Sequence, residues 1–208
     1  MNYKFSIVTE DDLSTIKSQL LNFDTDIYHS IEWLLLNKDL QEGEIYCIFL
    51  EDEKNCAFFP LIKRKIKNTS FFDLITPYGY GGVAFKKNTD TAFRENIFVL
   101  LKDYLRNTNC ISVFLRLHPL LNNNVKESGF VFGNGVTLAT NLNSSYSDLY
   151  SKYSSGHKYD LKKSKKNENI SIVDDADFIF FDDFIEIYLE TMRYLQASDF
   201  YYFDKEYF

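Results

Sequence analysis

The sequence predicts an α/β or α+β sandwich in which helices alternate with the strands of a main sheet, and three observations support this prediction. The chain of 208 residues is 45% hydrophobic and 17% aromatic, which is enough apolar side chain for a packed core. Short apolar runs such as "EIYCIFLED" and "CAFFPLIKRKI" are bounded by turn residues, as strands are. Stretches with apolar residues at helical spacing lie between these runs and after them.

The elements predicted within residues 1–143 follow one another as strand, helices, three strands, helix and two strands. The first strand is "YKFSIV", and helices are predicted over residues 11–21 and in "IYHSIEWLLL". The two apolar runs quoted above form a hairpin across residues 52–55, with Pro60 at a bulge or edge position, and "SFFDLI" is the third of these strands. An amphipathic helix over residues 91–106 precedes the strands "ISVFLRL" and "GVTLATNL".

Residues 144–208 are predicted to begin a second unit. Two short helical patterns, "YSDLYSKY" and "HKYDLKKSKK", precede a strand pattern, "ISIVDD". A helix with one apolar face is predicted over residues 182–196. The sequence then ends in an aromatic run in which Tyr207 and Phe208 have no evident partner. We therefore expect the complete protein to continue beyond Phe208.

Composition and charge exclude several classes of function. The net charge of −7 argues against general affinity for nucleic acid, although it leaves room for a local anion site. Three scattered cysteines without CxxC spacing predict reduced, buried thiols in a cytoplasmic protein: Cys47, Cys56 and Cys110. The three histidines are dispersed, so no metal site is predicted. We also expect no signal peptide and no membrane span, because no apolar run approaches about 20 residues.

The stretch "TPYGYGG", residues 76–82, is the first candidate site and is called the glycine stretch below. Its glycines permit positive φ angles and close approach by a ligand or by another part of the backbone. Tyr78 and Tyr80 could stack on a sugar or peptide or hydrogen-bond to it. The spacing is not that of the dinucleotide-binding fingerprint. A tight structural turn after a buried strand explains the same residues equally well.

The stretch "GHKYDLKKSKK" is the second candidate site. Residues 157–166 carry five lysines and one aspartate, and Lys158, Lys162 and Lys165 share one face of a helix. Because like charges on one face repel each other, an anion such as a phosphate or a tRNA backbone would stabilise this surface. The alternative is a lysine face that is exposed to solvent and whose positive charge is balanced by the acidic residues 174–208.

"FLRLHP" is the third candidate site, because it places Arg116 and His118 at the end of a strand, where clefts are common. Arg116 could bind a phosphate or carboxylate through both arms of its guanidinium group. A hydrogen-bonded structural role for His118 is favoured over a role as a base. The sequence has no triad pattern and lacks the R/Q-x-x-G-x-G/A loop with which GNAT-type acetyltransferases bind acetyl-CoA, so no cofactor is predicted.

Three stretches in the same order resemble the FemA/FemB-like transferases of the peptidoglycan-bridge or methicillin-resistance type, which have a GNAT fold. They are "DLITPYGYGG", "GHKYDLKKSKK" and "FIEIYLETMRYLQASDFYYFDKEYF". The second is similar to the family pattern R-N-x-I-R-K-A-x-K, with matches at Lys158, Leu161, Lys162, Lys163, Ser164 and Lys166. Tyr159 departs from the usual Asn of this pattern. In the third stretch the similarity rests on Tyr188, Thr191, Arg193, Tyr207 and Phe208.

The resemblance implies a GNAT-like mixed, mostly antiparallel sheet with flanking helices in residues 1–143. Residues 144–208 would then be the incomplete beginning of a second GNAT-like domain. It also implies transfer of an aminoacyl or acyl group to a cell-wall or surface-polysaccharide precursor, in the cytoplasm. The acceptor would be a nucleotide-linked muropeptide or sugar, and an aminoacyl-tRNA or another acyl donor would be the co-substrate.

The expected substrate-binding residues come from all three stretches: Tyr78, Gly79, Tyr80, Gly81, Arg116, Lys158, Tyr159, Lys162 and Arg193. No catalytic residue is assigned. In this hypothesis the glycine stretch offers bare backbone as the wall of a groove, and the lysine helix faces phosphate. Two other interpretations stay open: a non-catalytic binding or scaffold module, and a sugar N-acyltransferase of capsule or lipopolysaccharide synthesis.

Overall fold

A computed structural model of the protein describes residues 3–122, 125, 131–133 and 135–208. The chain divides into two compact units, Met1–Thr137 and Leu138–Phe208. The fold is mixed α+β, with mostly antiparallel strands and six α-helices among the described residues. The predicted mixed, mostly antiparallel architecture with flanking helices is therefore confirmed.

The first unit contains two four-stranded sheets. Three long strands are interrupted, and the two segments of each interrupted strand belong to different sheets. The eight strands are β1 Lys4–Val8, β2 Glu44–Ile45, β3 Cys47–Glu51, β4 Cys56–Phe59, β5 Ile62–Lys65, β6 Phe72–Ile75, β7 Ala84–Phe85 and β8 Cys110–Phe114. One sheet has the order β1-β3-β4-β7 and the other the order β2-β5-β6-β8. Every described strand pair is antiparallel except β6 and β8, which are parallel.

The interruptions fall at matching points along neighbouring strands. The first lies at Tyr46, between β2 and β3, and the second at Pro60 and Leu61, between β4 and β5. The amide of Tyr46 donates to the carbonyl of Leu61 across these two breaks, at 2.9 Å. Proline cannot donate to a strand ladder, which is why the expected irregularity at Pro60 occurs. The third break lies between β6 and β7 and contains the glycine stretch.

Helices pack on both faces of the first sheet and bury its side chains. α1 Leu13–Leu20 and α2 Ile31–Leu40 come before the hairpin, and α3 Thr91–Leu105 comes after it. Ile16 and Leu34 join Phe58 in one apolar cluster, and Ile97 and Leu101 join Leu50 in the other. Because side chains alternate along a strand, β3 supplies both clusters.

The predicted hairpin between β3 and β4 is confirmed. Asp52 closes the turn, because its carboxylate accepts hydrogen bonds from the amides of Lys54 and Asn55. The sequence signal is local here, since turn residues and strand residues lie within one short segment.

Two predicted strands are wrong. Residues 135–142 and 170–175 form no strand, and Val136, Leu138 and Ile172 are almost completely exposed. Alternating apolar residues indicate a strand only where a neighbouring strand pairs with them. No described strand pairs with either segment.

The second unit is helical. It contains α4 Tyr146–Lys152, α5 Ser155–Lys165 and α6 Phe181–Tyr194. The premise that Tyr207 and Phe208 have no partner is wrong. The ring of Tyr207 stacks on Phe203 with centroids 3.9 Å apart, and the ring of Phe208 lies 4.9 Å from that of Tyr188. The aromatic run therefore folds back on α6.

Candidate functional site

The glycine stretch adopts conformations that pack its backbone against side chains of the same unit. Gly79 has a φ of 95°, and a Cβ atom added there would lie 2.3 Å from the ring of Tyr28. Gly82 has a φ of 50°, and a Cβ atom there would lie 2.2 Å from Asn122 Oδ1. Only glycine combines these φ angles with such close contacts. The prediction was close approach by a ligand or by another part of the backbone, and the nearest groups are instead the side chains of Tyr28 and Asn122.

The expectation of bare backbone along this stretch is wrong for Gly81 and Gly82. Both residues are buried, and Gly81 is packed near Thr76, Pro77 and Pro60. Their backbone cannot lie against an extended ligand while these contacts persist. Gly79 is half-buried, and the ring of Tyr80 is the part of the stretch most open to solvent, at 45% exposure.

Helix α2 holds the backbone of Tyr78 in place. The indole N–H of Trp33 donates to the carbonyl of Tyr78 at 2.9 Å, and the amide of Tyr78 donates to Asn37 Oδ1 at 3.0 Å. Asn37 in turn donates to the carbonyl of Trp33 at 2.9 Å. This network satisfies a buried amide side chain in the interior of a helix. It fixes the start of the stretch against α2.

Asn122 holds the other end of the stretch. Its amide donates to the carbonyl of Val83 at 2.7 Å, and its Oδ1 accepts from the amides of Val83 and His118. The amide of Gly82 also donates to the carbonyl of Arg116 at 2.8 Å. These bonds join β7 to the residues that follow β8. A break in the sheet is thereby bridged without a continuous strand ladder.

His118 is buried, and both of its ring nitrogens are hydrogen-bonded, which agrees with the favoured structural role. Its Nδ1 accepts from the amides of Leu120 and Leu121, at 3.2 and 3.1 Å. Because Nδ1 accepts twice, this hydrogen-bond network assigns a ring proton to Nε2. Nε2 then donates to Asp26 Oδ2 at 3.0 Å.

Asp26 precedes a short 3-10 turn, Ile27–His29, and its carboxylate also accepts from the amide of Ile27. Burial acts to raise the pKa of Asp26, but the hydrogen bonds from Ile27 and His118 outweigh burial and hold the pKa below its usual value. Asp26 is therefore ionised at neutral pH. Its side chain is 43% exposed.

His29 lies in the interior beside this dyad. Burial lowers the pKa of His29 to about 4, so the ring is neutral. Its Nδ1 accepts from the amide of Asp26 at 3.1 Å, which places the ring proton on Nε2. The backbone of Gly81 acts to raise the pKa of His29, but burial outweighs it. Among the described residues, Nε2 has no hydrogen-bond partner.

Arg116 follows β8 directly and lies beside the glycine stretch. Its guanidinium carbon lies 5.9 Å from the ring centroid of Tyr78 and 5.0 Å from that of Phe114. No carboxylate of the described residues lies within ion-pair distance of it. Contacts with ring faces stabilise a guanidinium group but leave its N–H donors available.

The structure therefore brings together five of the predicted site residues in the first unit: Tyr78, Gly79, Tyr80, Gly81 and Arg116. The other four belong to the second unit. Lys158, Tyr159 and Lys162 lie on α5, and Arg193 lies in the last turn of α6. Tyr159, Lys162 and Arg193 are exposed, and Lys158 is half-buried.

The lysines of α5 fall into two groups. Lys158 donates to the carbonyl of Ser151 at 2.9 Å, and Lys165 donates to the hydroxyl of Tyr146 at 3.1 Å. Each ammonium group also lies over a tyrosine ring of α4, that of Tyr150 or Tyr146. The other lysines of this stretch are exposed, and their side chains form no hydrogen bond or ion pair within residues 138–208: Lys162, Lys163 and Lys166. The acidic residues of this unit therefore do not neutralise α5.

A separate groove of about 460 Å³ lies between α1 and the sheet that contains β1. Lys4, Ser6, Gln19, Glu51 and Lys86 contribute to its walls, and no residue of the glycine stretch does. Lys4 is paired with Glu51 at 2.8 Å. The groove and the surface around Arg116 are thus two distinct features of the first unit.

The thiols and the helices add three simpler findings. Burial raises the pKa of Cys47 and of Cys56 to about 12, so neither is a thiolate at neutral pH. Among the described residues, no group of three or more histidine, cysteine, aspartate or glutamate side chains is placed to hold a metal ion. No described helix has both the length and the apolar character needed to cross a membrane.

Comparison with known proteins gives no relative from which a function could be transferred. No protein-family model matches the chain, and neither does any curated protein or solved structure.

The sequence interpretation missed Asp26 and Tyr28, which border the glycine stretch. In the segment "DTDIYHS" only the last four residues belong to a predicted helix, and Asp26 was assigned to no element. A usable signal was present, because Asp26 and His29 form a capping box. The Asp26 carboxylate accepts from the backbone amide of His29, and the His29 ring accepts from the backbone amide of Asp26. This pattern places Asp26 before a short helix, but it does not predict contact with His118.

Proposed function

We propose that this protein is a Fem-like aminoacyl- or acyltransferase that acts in the cytoplasm on a cell-wall or surface-polysaccharide precursor. The acceptor is a nucleotide-linked muropeptide or sugar, and the donor is an aminoacyl-tRNA or another acyl ester. The support is the combination of an available guanidinium group with aromatic side chains at the interruption of the sheet, together with the resemblance of the three sequence stretches.

Arg116 is the single observation that carries the proposal. Its guanidinium group rests on Tyr78 and Phe114 and has no carboxylate partner among the described residues. A planar fork of N–H donors matches the oxygens of a phosphate better than a flexible ammonium does. A nucleotide diphosphate supplies such oxygens, and the half-exposed ring of Tyr80 is available to its sugar or peptide.

The chemistry of transfer is compatible with this site. Attack of an amine on an activated ester requires the two reactants to be held in position and the developing oxyanion to be stabilised. It requires no nucleophile from the protein. The high pKa values of Cys47 and Cys56 agree with a reaction of this kind, in which no thiolate takes part.

The second unit supports a role for a phosphate-bearing donor. Three exposed lysines on and after α5, Lys162, Lys163 and Lys166, have no acidic partner within residues 138–208. Such a surface binds polyanions through counterion release, and a tRNA acceptor stem is one such polyanion.

A non-catalytic binding module is the second candidate, and one observation favours it. The glycines at positions 79 and 82 are explained by contacts with Tyr28 and Asn122 alone. If the stretch serves only to join the two sheets, the chain needs no acceptor there.

Calorimetric titration with a UDP-linked muropeptide, and in parallel with a UDP-linked amino sugar, tests the proposal. We expect measurable binding that Arg116→Gln weakens by about 1.5–3 kcal/mol, or roughly 10- to 100-fold, because charge-assisted hydrogen bonds to phosphate are lost. Arg106→Gln is the matched control, since Arg106 is exposed and lies at the end of α3.

Two results would contradict the proposal. One is the absence of binding to either nucleotide-linked compound. The other is equal loss of affinity in the Arg116 and Arg106 variants, which would mean that only overall charge matters. Stronger binding of the amino sugar than of the muropeptide would direct the proposal to sugar acylation.

A further inference from the structure

An aromatic cluster lies beside the Asp26–His118 pair at the edge of the glycine stretch. The ring of Tyr28 packs edge-on against Trp33, with centroids 5.5 Å apart, and against Tyr80, with centroids 5.9 Å apart. Both tyrosine rings also contact the ring of His118, which hydrogen-bonds to Asp26. We call Tyr28, Trp33 and Tyr80 the aromatic cluster.

Asp26 has one titratable partner among the described side chains. It is His118, whose Nε2 lies 3.0 Å from Asp26 Oδ2 and whose Nδ1 accepts two backbone hydrogen bonds. No lysine or arginine of the described residues lies within 4.0 Å of this carboxylate. The ionised carboxylate therefore lies near the rings without a lysine or arginine partner among the described residues.

The carboxylate also has unused hydrogen-bonding capacity. An ionised carboxylate accepts about four hydrogen bonds, and Asp26 already accepts from the backbone amides of Ile27 and His29 and from the ring of His118. The remaining acceptor position faces solvent, because the side chain is 43% exposed. A donor that arrives from solvent can reach Asp26 without displacing any internal partner.

We propose that Asp26 and the aromatic cluster bind a primary ammonium group, which is the amine of the acceptor in the function proposed above. An ammonium ion can donate to the free position of the carboxylate, and its positive charge is attracted to the faces of tyrosine rings. The identification of this amine as the acceptor's rests on the proposed function. The affinity for an ammonium group follows from the geometry alone.

The proposal implies an orientation for a molecule bound at this surface. Asp26 attracts a cation and Arg116 attracts an anion, and Asp26 is hydrogen-bonded to His118, which lies two positions after Arg116 in the chain. A molecule with an amine at one end and a phosphate or carboxylate at the other can contact both. Asp26 binds and positions the amine in this arrangement, and the hydrogen bond from His118 keeps the carboxylate oriented.

The test is a nuclear magnetic resonance titration with two matched probes. Nα-acetyl-L-lysine amide carries a primary ammonium group, and Nα-acetyl-L-norleucine amide has nearly the same shape without it. We expect the lysine probe to shift the backbone amide resonances of Ile27, Gly79 and Tyr80 with saturation at millimolar concentrations. The norleucine probe is expected to leave them unchanged.

Three variants separate the role of the Asp26 charge from that of the Tyr80 ring. Asp26→Asn is expected to weaken binding of the lysine probe at least tenfold, and Tyr80→Leu at least threefold. Asp24→Asn is the matched control and is expected to change binding less than twofold, because Asp24 is 45% exposed, two residues away, and faces Arg94. Tyr80→Leu leaves the Asp26–His118 bond intact, so it remains informative if Asp26→Asn perturbs the fold.

The inference is overturned if the two probes bind equally, if the wild-type protein binds neither, or if Asp26→Asn and Asp24→Asn behave alike. Its failure is distinguishable from failure of the proposed function. Binding of the nucleotide-linked precursor through Arg116 without binding of the lysine probe would contradict only the ammonium site. Binding of the lysine probe without binding of any precursor would contradict only the transferase.

Discussion

Gly82 shows how one residue can be fixed by two independent constraints. Its φ angle of 50° is unfavourable for other residues, and Asn122 Oδ1 and the backbone N of His118 occupy the space of a Cβ atom. Gly156 on α5 is the opposite case, since nothing lies within 4 Å of a Cβ atom added there. The sequence alone does not separate these two glycines.

We predict that Gly82→Ala lowers the free energy of unfolding of the first unit by about 2–4 kcal/mol, from backbone strain and displacement of Asn122. Gly156→Ala should instead stabilise α5 by about 0.5–1 kcal/mol, because alanine loses less backbone entropy in a helix. Urea denaturation followed by circular dichroism measures both. A Gly82→Ala protein as stable as the wild type would show that the Asn122 contact adjusts freely.

At the scale of the element, the lysines of α5 have two environments: some pack on aromatic rings and the others are exposed to solvent. Lys158 and Lys165 are held on tyrosines of α4, whereas Lys162 and Lys163 extend into water. The sequence pattern placed Lys158, Lys162 and Lys165 on one face and gave them one role. The structure assigns two roles, because the tyrosine spacing of α4 matches only the first and last of the three.

We predict different behaviour for two charge-matched double variants of α5. Lys162→Gln with Lys163→Gln should reduce the slope of log affinity for tRNA against log salt by about 1.5, since roughly 0.7–0.9 is lost for each phosphate contact. Lys158→Gln with Lys165→Gln should change the slope less and lower the helical content instead. Filter binding over a salt series measures the slope. Equal slopes for the two variants would show that all four lysines contact the polyanion.

Elements whose signals are local were the most predictable. The β3–β4 hairpin and the helices α3 and α6 were predicted from turn residues and periodicity within single segments. The break at Pro60 was predicted from the proline itself, whereas the breaks at Tyr46 and at the glycine stretch were not, because they depend on which residues of neighbouring strands face each other. The bond between Asp26 and His118 spans 92 positions of the chain, so no local pattern could indicate it.

At the scale of the whole molecule, the two units differ in how much they bury. The first unit contains both apolar clusters, whereas residues 138–208 bury one side chain, Phe203. Local opening costs little free energy where few apolar contacts are lost. The second unit should therefore open more readily than the first.

We predict that hydrogen exchange distinguishes the units. Backbone amides of α6 should exchange at least tenfold faster than those of β3 and β4, which lie between two helical layers. Exchange followed by mass spectrometry gives both rates on the intact chain. Equal protection of α6 and β3 would mean that the second unit is stabilised by more than its own aromatic contacts.

Trp33 is the one tryptophan of the chain, and its indole N–H is bonded to the carbonyl of Tyr78. Indole emission depends on that kind of bond and on the polarity around the ring. The protein thus carries its own optical reporter at the start of the glycine stretch, and events there can be followed by intrinsic fluorescence without attaching a dye.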